Sequence, residues 1–293
     1  MAPIVLFTYK RFESLRRTVE ALQRNTGARD SLLYVFSDGP RSAADVAAVA
    51  EVRAYLTGID GFREVFVSES PVNKGPATSV IDGVTRVIRE HGRVIVLEDD
   101  LITAPNFLSF MNAALETYVA TPRVFSVSGF TLPISAPGDV YFTMRGSSWG
   151  WATWEDRWNT VDWAVSDFAA FLRDSLARHR FNRIGSDLVK SLKDQMAGKI
   201  DSWAIRWVYA QFRQERVTAF PTRSKVANIG LDDSDTRTGR GQSGRFATTL
   251  DDSGSRTFHL TEPALDPSVV RQFAGYYSLP VRLKYKFIQW LPS

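Results

Sequence analysis

VIVLEDD spans residues 94–100: four apolar residues that run without a break into three acids. Branching at Cβ favours extended backbone, and the run is too short for a helix. A strand that is apolar at every position is buried on both faces, the mark of a parallel sheet covered by helices. Outward from it the same two textures repeat. IVLFTY (4–9) and LLYVFSDG (32–39) are short apolar runs, EVFVSES (64–70) alternates as a strand does, and VFSVSGF (124–130) is again strand-like. Helical patterns lie between them. Leu15, Val19 and Leu22 share one face, AADVAAVAEVRAYL (43–56) is rich in helix formers, Val80, Ile81, Val84, Val87 and Ile88 form a stripe, and FLSFMNAALETY (107–118) is helical.

This is a β-α-β-α-β-α-β order, and it predicts an α/β fold. Right-handed crossovers place the C-terminal end of every strand on one edge of the sheet, where ligands of open α/β sheets bind. Four polar segments are carried to that rim: Thr8 to Arg11, Ser37 to Gly39, Ser68 to Lys74 and Glu98 to Asp100. Beyond residue 130 the texture changes. SSWGWATWEDRW (147–158) is dense in tryptophan, with Trp151, Trp154 and Trp158 spaced as one helix face and expected in the core. Helices are expected near 164–176, 186–197 and 202–215, and a strand at VTAFP (217–221). Residues 228–257 are rich in Gly, Ser, Thr and Asp and too long for an ordinary connection, so they read as a functional loop or a mobile lid.

Composition narrows the chemistry. The 293 residues include no cysteine and three histidines, and 36 basic residues stand against 32 acidic ones for a net charge of +4. Without cysteine there is no disulfide framework, thiolate zinc site, iron–sulfur cluster or cysteine nucleophile, and any metal is held mostly by oxygen. The chain lacks the strong basic stripe of a nucleic-acid binder. No apolar run approaches the roughly 18 residues of a spanning helix. MAPIVLFTYKRF has neither the basic start nor the apolar length of a secretion signal, so a cytoplasmic location is expected. YYSLPVRLKYKFIQWLPS (276–293) mixes aromatics with Arg282, Lys284 and Lys286. It reads either as a docked terminal helix or as a segment lying on an anionic membrane surface.

Adjacent acids at a buried strand's end repel one another unless a cation or hydrogen-bond donors compensate them. Glu98, Asp99 and Asp100 therefore read as a divalent-metal site, for Mg²⁺ or Mn²⁺, completed by a nucleotide diphosphate. A solvated turn leading into a helix is the plainer alternative. Trp149 and Gly150 read as a site wall, because a sugar face stacks on an aromatic ring and glycine permits close approach. Asp38-Gly39-Pro40 is a turn by composition. Asn73-Lys74-Gly75-Pro76 is a turn and helix start whose N–H groups could hold a phosphate or ribose oxygen. Asp201 reads as a helix N-cap, and His259, in the strand-like TFHL, as a buried or surface histidine more readily than a metal ligand.

Taken in order, FTYKR, SDGP, NKGP, VIVLEDDLITAPNF, SSWGWATW, DSW and NIGLDDS resemble nucleotide-sugar glycosyltransferases of the GT-A fold. The resemblance is nearest to the inverting N-acetylglucosaminyltransferase I-like group and to bacterial family-2-type transferases. The motifs span nearly residues 3–239, and EDDLITAPNF is the most specific. The resemblance implies a Rossmann-like, mostly parallel sheet flanked by helices, in a single domain with a nucleotide-sugar half (1–130), an acceptor half (131–260) and a C-terminal segment (261–293). It implies roles residue by residue. Asp100 matches the acid that coordinates Mn²⁺, and Asp99 and Glu98 match positions around the donor ribose and sugar. Asp38 matches the acid near the base, Arg11 a basic residue approaching the nucleotide, and Asn73 and Lys74 the loop over base and ribose; Thr8 joins these donor-binding residues on the rim. Asp201 matches the catalytic base of the inverting enzymes. Asn228 to Asp233, with Asp232, matches a loop beside the donor phosphates and acceptor. Many relatives carry His near Thr236 or Arg237, and Arg237 is the candidate to neutralise the diphosphate in its place.

The implied activity is metal-dependent, inverting transfer of a hexosyl or N-acetylhexosaminyl group. The donor is a nucleoside diphosphate sugar, a UDP-sugar first among them, and the acceptor a glycan, lipid-linked or small-molecule hydroxyl, as in polysaccharide biosynthesis. A sugar nucleotidyltransferase and a non-catalytic glycan- or nucleotide-sugar-binding module are the alternatives. The first is disfavoured because FTYKRFES contains no glycine for a phosphate loop.

Overall fold

The computed structural model describes residues 1–230 and 243–288. The strands are β1 (Ile4–Thr8), β2 (Leu32–Ser37), β3 (Glu64–Glu69), β4 (Arg93–Glu98), β5 (Leu101–Thr103), β6 (Val124–Ser128), β7 (Val140–Thr143), β8 (Trp151–Trp154), β9 (Val217–Pro221) and β10 (Val226–Asn228). Eight of them form one sheet of order β3-β2-β1-β4-β8-β6-β9-β7, and β10 pairs with β5 in a separate antiparallel ribbon. β3, β2, β1 and β4 run parallel, β6 and β9 share their direction, and β8 and β7 run against them. The α/β, mostly parallel architecture expected from the sequence is the one observed.

Strand alternation sorts the core into two layers. Ile4, Leu6, Ile95 and Leu97 face one layer, covered by α1 (Phe12–Gln23), α2 (Val46–Leu56) and α4 (Phe107–Thr117). Val5, Phe7, Val94 and Val96 face the other, covered by α3 (Gly75–His91), α5 (Glu155–Trp158) and α9 (Trp203–Arg213). α6 (Phe168–Arg173), α7 (Ser175–Arg183) and α8 (Leu188–Met196) build a satellite core with α9 around Phe171, Phe181, Leu192 and Tyr209. After α10 (Ser243–Phe246), α11 (Pro267–Tyr276) returns Val269 and Phe273 to the first layer, and α12 (Leu279–Ile288) follows. Among the described residues no helix is long and apolar enough to cross a membrane.

Two local expectations are corrected. Trp151 to Trp154 is a strand, not a helix, and only Glu155–Trp158 is helical. The reason is tertiary: β8 slots between β4 and β6 and gains ladder bonds on both sides. Positions i and i+3 then face opposite layers. Trp151 stacks with Trp203 at 5.0 Å between ring centroids, while Trp154 enters the other layer and donates its Nε1–H to the Leu115 carbonyl at 3.0 Å. Both are buried, as expected. TFHL is not a strand, and His259 is exposed, its backbone N–H donating to Asp139 at 2.7 Å.

Of the stretch 228–257, residues 231–242 lie outside the described residues. Its later part is anchored, since Leu250 bridges Ser224 and the buried Asp251 binds Lys225 Nζ and Asn106 Nδ2 (2.9 Å). Burial pushes the Asp251 carboxyl up, but the bonds from Lys225, Asn106 and Ser253 outweigh it and hold the group well below the usual carboxylate range.

Candidate active site

The C-terminal ends of β1, β2 and β4 and the start of α3 meet at one rim. Thr8 closes β1 in register with Ser37, and Glu98 closes β4 half-buried opposite Phe7. The chain then turns. Asp99 is buried and accepts from Thr8 Oγ1 (2.9 Å), from the Tyr9 N–H (3.2 Å) and from the Arg11 guanidinium. Asp100, also buried, lies with Oδ2 3.0 Å from the same guanidinium, while its Oδ1 has no partner among the described residues.

One cation therefore serves two carboxylates. Burial lowers the Arg11 pKa, but Asp99 and Asp100 more than offset it, so the group is held above its ordinary value. Burial raises Asp100, Arg11 draws it back and Asp99 adds to the rise, leaving it above its ordinary value. An uncompensated oxygen beside a second carboxylate suits a hard cation. Among the described residues no three acidic or histidine side chains converge on a point. The chain would thus supply one or two oxygens, with ligand and solvent completing the shell, which is how Mg²⁺ is commonly held.

The returning chain lies on this acidic end. Ile229 donates its N–H to the Asp100 carbonyl at 2.9 Å. Residue 230 must be glycine, because a Cβ there would fall 2.4 Å from Asp100 Oδ2. Asn228 shapes that turn by accepting the Gly230 N–H at 2.8 Å. The other expected loop residues, Asp232, Asp233 and Arg237, lie outside the described residues.

Asp38 ties the next segment to the rim. Its carboxylate accepts from Gly39 N (2.9 Å), Asn73 Nδ2 (3.0 Å), Lys74 N (2.9 Å) and Gly75 N (3.1 Å). The Lys74 ammonium is exposed and pairs with Asp82 on α3 at 3.1 Å. α3 has no capping side chain of its own at Lys74. Its cap comes from 124 residues away: Asp201 Oδ2 accepts the Ala77 N–H at 3.2 Å. Gly75, at φ +75°, passes so close that a Cβ would sit 2.6 Å from that oxygen.

One expectation is decided here and one changes. Of the two readings of Asn73 to Pro76, the turn and helix start is observed, and the N–H groups that could have held a phosphate or ribose oxygen are taken by Asp38 and Asp201. Asp201 does not cap its own helix, because Ser202 Oγ accepts from Ile205 N and does so instead.

Beside Asp201 opens a cavity of about 310 Å³, walled by Arg145, Ser147, Trp149, Asp187, Ser202 and Trp203 among others. None of Thr8, Arg11, Asp38, Asn73, Asp99 and Asp100 lines it. It is bordered by chain that leads to the rim on two sides: Ser202 and Ile200 flank Asp201, and Trp149 precedes Gly150, which packs on Val226 of β10. Trp149 is thus on a wall, packed edge-on against Phe130 and Phe246. Gly150 is not; it is buried, and its carbonyl accepts the Gly129 N–H.

Sequence reading missed Arg53, which holds the Asp38 and Ser70 carbonyls, and the bidentate Arg145–Asp187 pair at 2.8 and 2.9 Å. No local pattern announces a partner 42 residues away, although Arg145 lies two residues before the quoted Ser-Ser-Trp-Gly stretch.

No protein-family model and no curated protein matches the chain. Solved structures do. The mannosyltransferase PcManGT from Pyrobaculum calidifontis, in complex with GDP-Man and Mn²⁺, is 12% identical over 72% of this chain and 73% of its own, at a TM-score of 0.40. TarS of S. aureus is 8% identical over 81% of this chain and 41% of its own, at 0.42. Mouse xyloside xylosyltransferase 1 is 12% identical over 73% of this chain and 82% of its own, at 0.39. At 8–12% identity these are distant likenesses in fold.

Proposed function

We propose that the chain is a metal-dependent, inverting glycosyltransferase of the GT-A type that uses a nucleoside diphosphate sugar, a UDP-sugar first among the donors. The observation that carries this reading is the rim at the end of β4, where buried Asp99 and Asp100 share Arg11 and Asp100 Oδ1 has no partner among the described residues. Asp100 would hold Mn²⁺ or Mg²⁺, which when bound supplies positive charge to a departing diphosphate. Arg11 adds a second cation at the same edge. Asp38 fixes the 73–75 turn as a wall for base and ribose. The nucleotide-sugar half is then 1–130 and the acceptor half 131–260.

Asp201 is the proposed base, oriented by the Ala77 N–H at the edge of the cavity. The acceptor oxygen bonds to the anomeric carbon as the bond to the diphosphate oxygen breaks. The electron pair leaves with the diphosphate, the hydroxyl proton passes to Asp201, and the configuration inverts. The test is a thermal-shift panel of nucleoside diphosphates and nucleotide sugars with and without Mn²⁺. One base is expected to raise the Tm, and more so with Mn²⁺. A panel in which no nucleotide shifts the Tm overturns the reading.

The acceptor side of this reading includes a membrane surface. The last acid in the sequence is Asp266; Arg271, Arg282, Lys284 and Lys286 follow, so the net charge of +4 resides wholly in the final 27 residues. On α12, Leu279, Leu283 and Phe287 recur at i, i+4 and i+8, each more than half exposed. A basic helix with an uncovered apolar stripe suits an anionic bilayer. The full chain is expected to float with vesicles containing phosphatidylglycerol and not with pure phosphatidylcholine, and L283E/F287E to abolish flotation. Equal flotation on both lipids, or none, rejects the contact.

A further inference from the structure

At the Arg145 end of the cavity beside Asp201, two further guanidiniums stand behind the wall that Arg145 and Asp187 form. Arg145, on its wall, pairs with Asp187 through two hydrogen bonds and stacks 3.6 Å from the centre of the Tyr277 ring. A guanidinium has five N–H donors, so Arg145 keeps others after that pair is made. Arg245 shares the same ring at 5.3 Å and lies 4.6 Å from the Phe246 ring; Tyr277 and Phe246 both line the cavity. Arg245 is 7% exposed. Among the described residues it bonds the Tyr276 carbonyl and pairs with no carboxylate. Arg282 adds a third guanidinium, bonded to Ser186 Oγ at 3.0 Å next to Asp187 in the chain. Burial and the neighbouring Arg145 and Arg282 all depress the Arg245 pKa, with Asp187 and Tyr277 opposing.

Among the described residues three guanidiniums, one on the wall and two behind it, thus surround one carboxylate. A buried charge without a counter-charge is costly, and a guanidinium is matched in shape by phosphate and carboxylate. Neutral donors stand on the walls with Arg145: the hydroxyls of Ser147, Ser148, Ser191 and Ser202, and Trp207, whose buried Nε1–H finds no acceptor among the described residues.

We infer that this cavity receives an anionic group, a phosphate or a carboxylate, carried by the acceptor sugar. The inference rests on the transferase reading for the word acceptor, but the anion site stands on its own residues. Asp187 then orients Arg145, and the aromatic wall of Trp149 and Trp203 takes the sugar ring.

Titration calorimetry on the full chain tests it with glucose 1-phosphate, glucuronate and methyl glucoside as probes at low salt. One or both anionic sugars are expected to bind at least about tenfold tighter than the neutral one, and which of the two prevails identifies the anion. Arg245→Met is expected to weaken that binding about tenfold and Arg282→Gln less, with nucleoside diphosphate affinity unchanged in both. The wild-type comparison decides the matter even if a variant misfolds. Equal affinity for methyl glucoside and both charged sugars overturns the inference. So does one-for-one competition between the anionic sugar and a nucleoside diphosphate, which would give the cavity to the donor. Anionic-sugar binding in a chain that binds no nucleotide supports the anion site and removes the transferase reading alone.

Discussion

The rim at the end of β4 and the cavity beside Asp201 are built from the same kinds of residue in opposite proportion. At the rim two buried aspartates share one arginine, and an oxygen of Asp100 is left over. In the cavity one aspartate serves an arginine while two further guanidiniums stand near it, Arg245 bonding a carbonyl and Arg282 a serine hydroxyl. Among the described residues neither region closes its own charge, and the signs are opposite. A region short of positive charge selects a cation, and one short of negative charge selects an anion. Asp201 stands between them, its carboxylate on α3 at the rim and its chain neighbours on the cavity wall.

The contrast breaks first at Asp201. Asp201→Asn keeps an oxygen for the Ala77 N–H but cannot take a proton, so transfer is expected to fall about 10²–10⁴-fold in steady-state kinetics while nucleotide affinity holds. Unchanged turnover removes Asp201 as the base. Next comes the price of removing each region's cation. Arg145→Met strands Asp187 and is expected to lower stability by about 3–5 kcal/mol in urea unfolding. Arg11→Met is expected to lose less, because Thr8 and the Tyr9 N–H still hold Asp99. The reverse order would undo the comparison. Gly75→Ala forces a side chain into a left-handed backbone and against Asp201, and a loss of about 1–3 kcal/mol is expected from the same unfolding measurement.

The smallest effect is spread over pH. Asp251 is depressed in the folded chain, so its stabilisation is present above the ordinary carboxylate pKa of about 3.9 and fades as the pH falls through the lower folded value. Urea midpoints from pH 6 to 3 are expected to drop more steeply in the native chain than in Lys225→Met, where the depressing partner is gone. Parallel curves would show that the ion pair does not set this part of the profile.

The parallel part of the sheet was legible because strands buried on both faces, such as β1 and β4, are apolar at nearly every position. β8 was misread because WATW is equally a turn of helix or a strand until its neighbours are known, and β4 and β6 decide it. The acidic end of β4 was legible as a charge problem in the sequence. Its solution was not: the resemblance set Arg11 towards a nucleotide and not towards Asp99, and the pair joins residues 88 apart. The cavity's network left no trace in periodicity: Arg145, Asp187 and Tyr277 come from three separate segments, and only folding sets them side by side.

The placement of β8 between β4 and β6 has a consequence for engineering. A cut near residue 130 would strip the backbone of Val94, Ile95 and Val96 of its neighbour and leave a bare, apolar ladder open to aggregation. Chimeras that trade one specificity module for another at that point would have to import a replacement for Trp-Ala-Thr-Trp in the same register. In this protein, then, the two halves of the sheet are not interchangeable cassettes but one woven fabric.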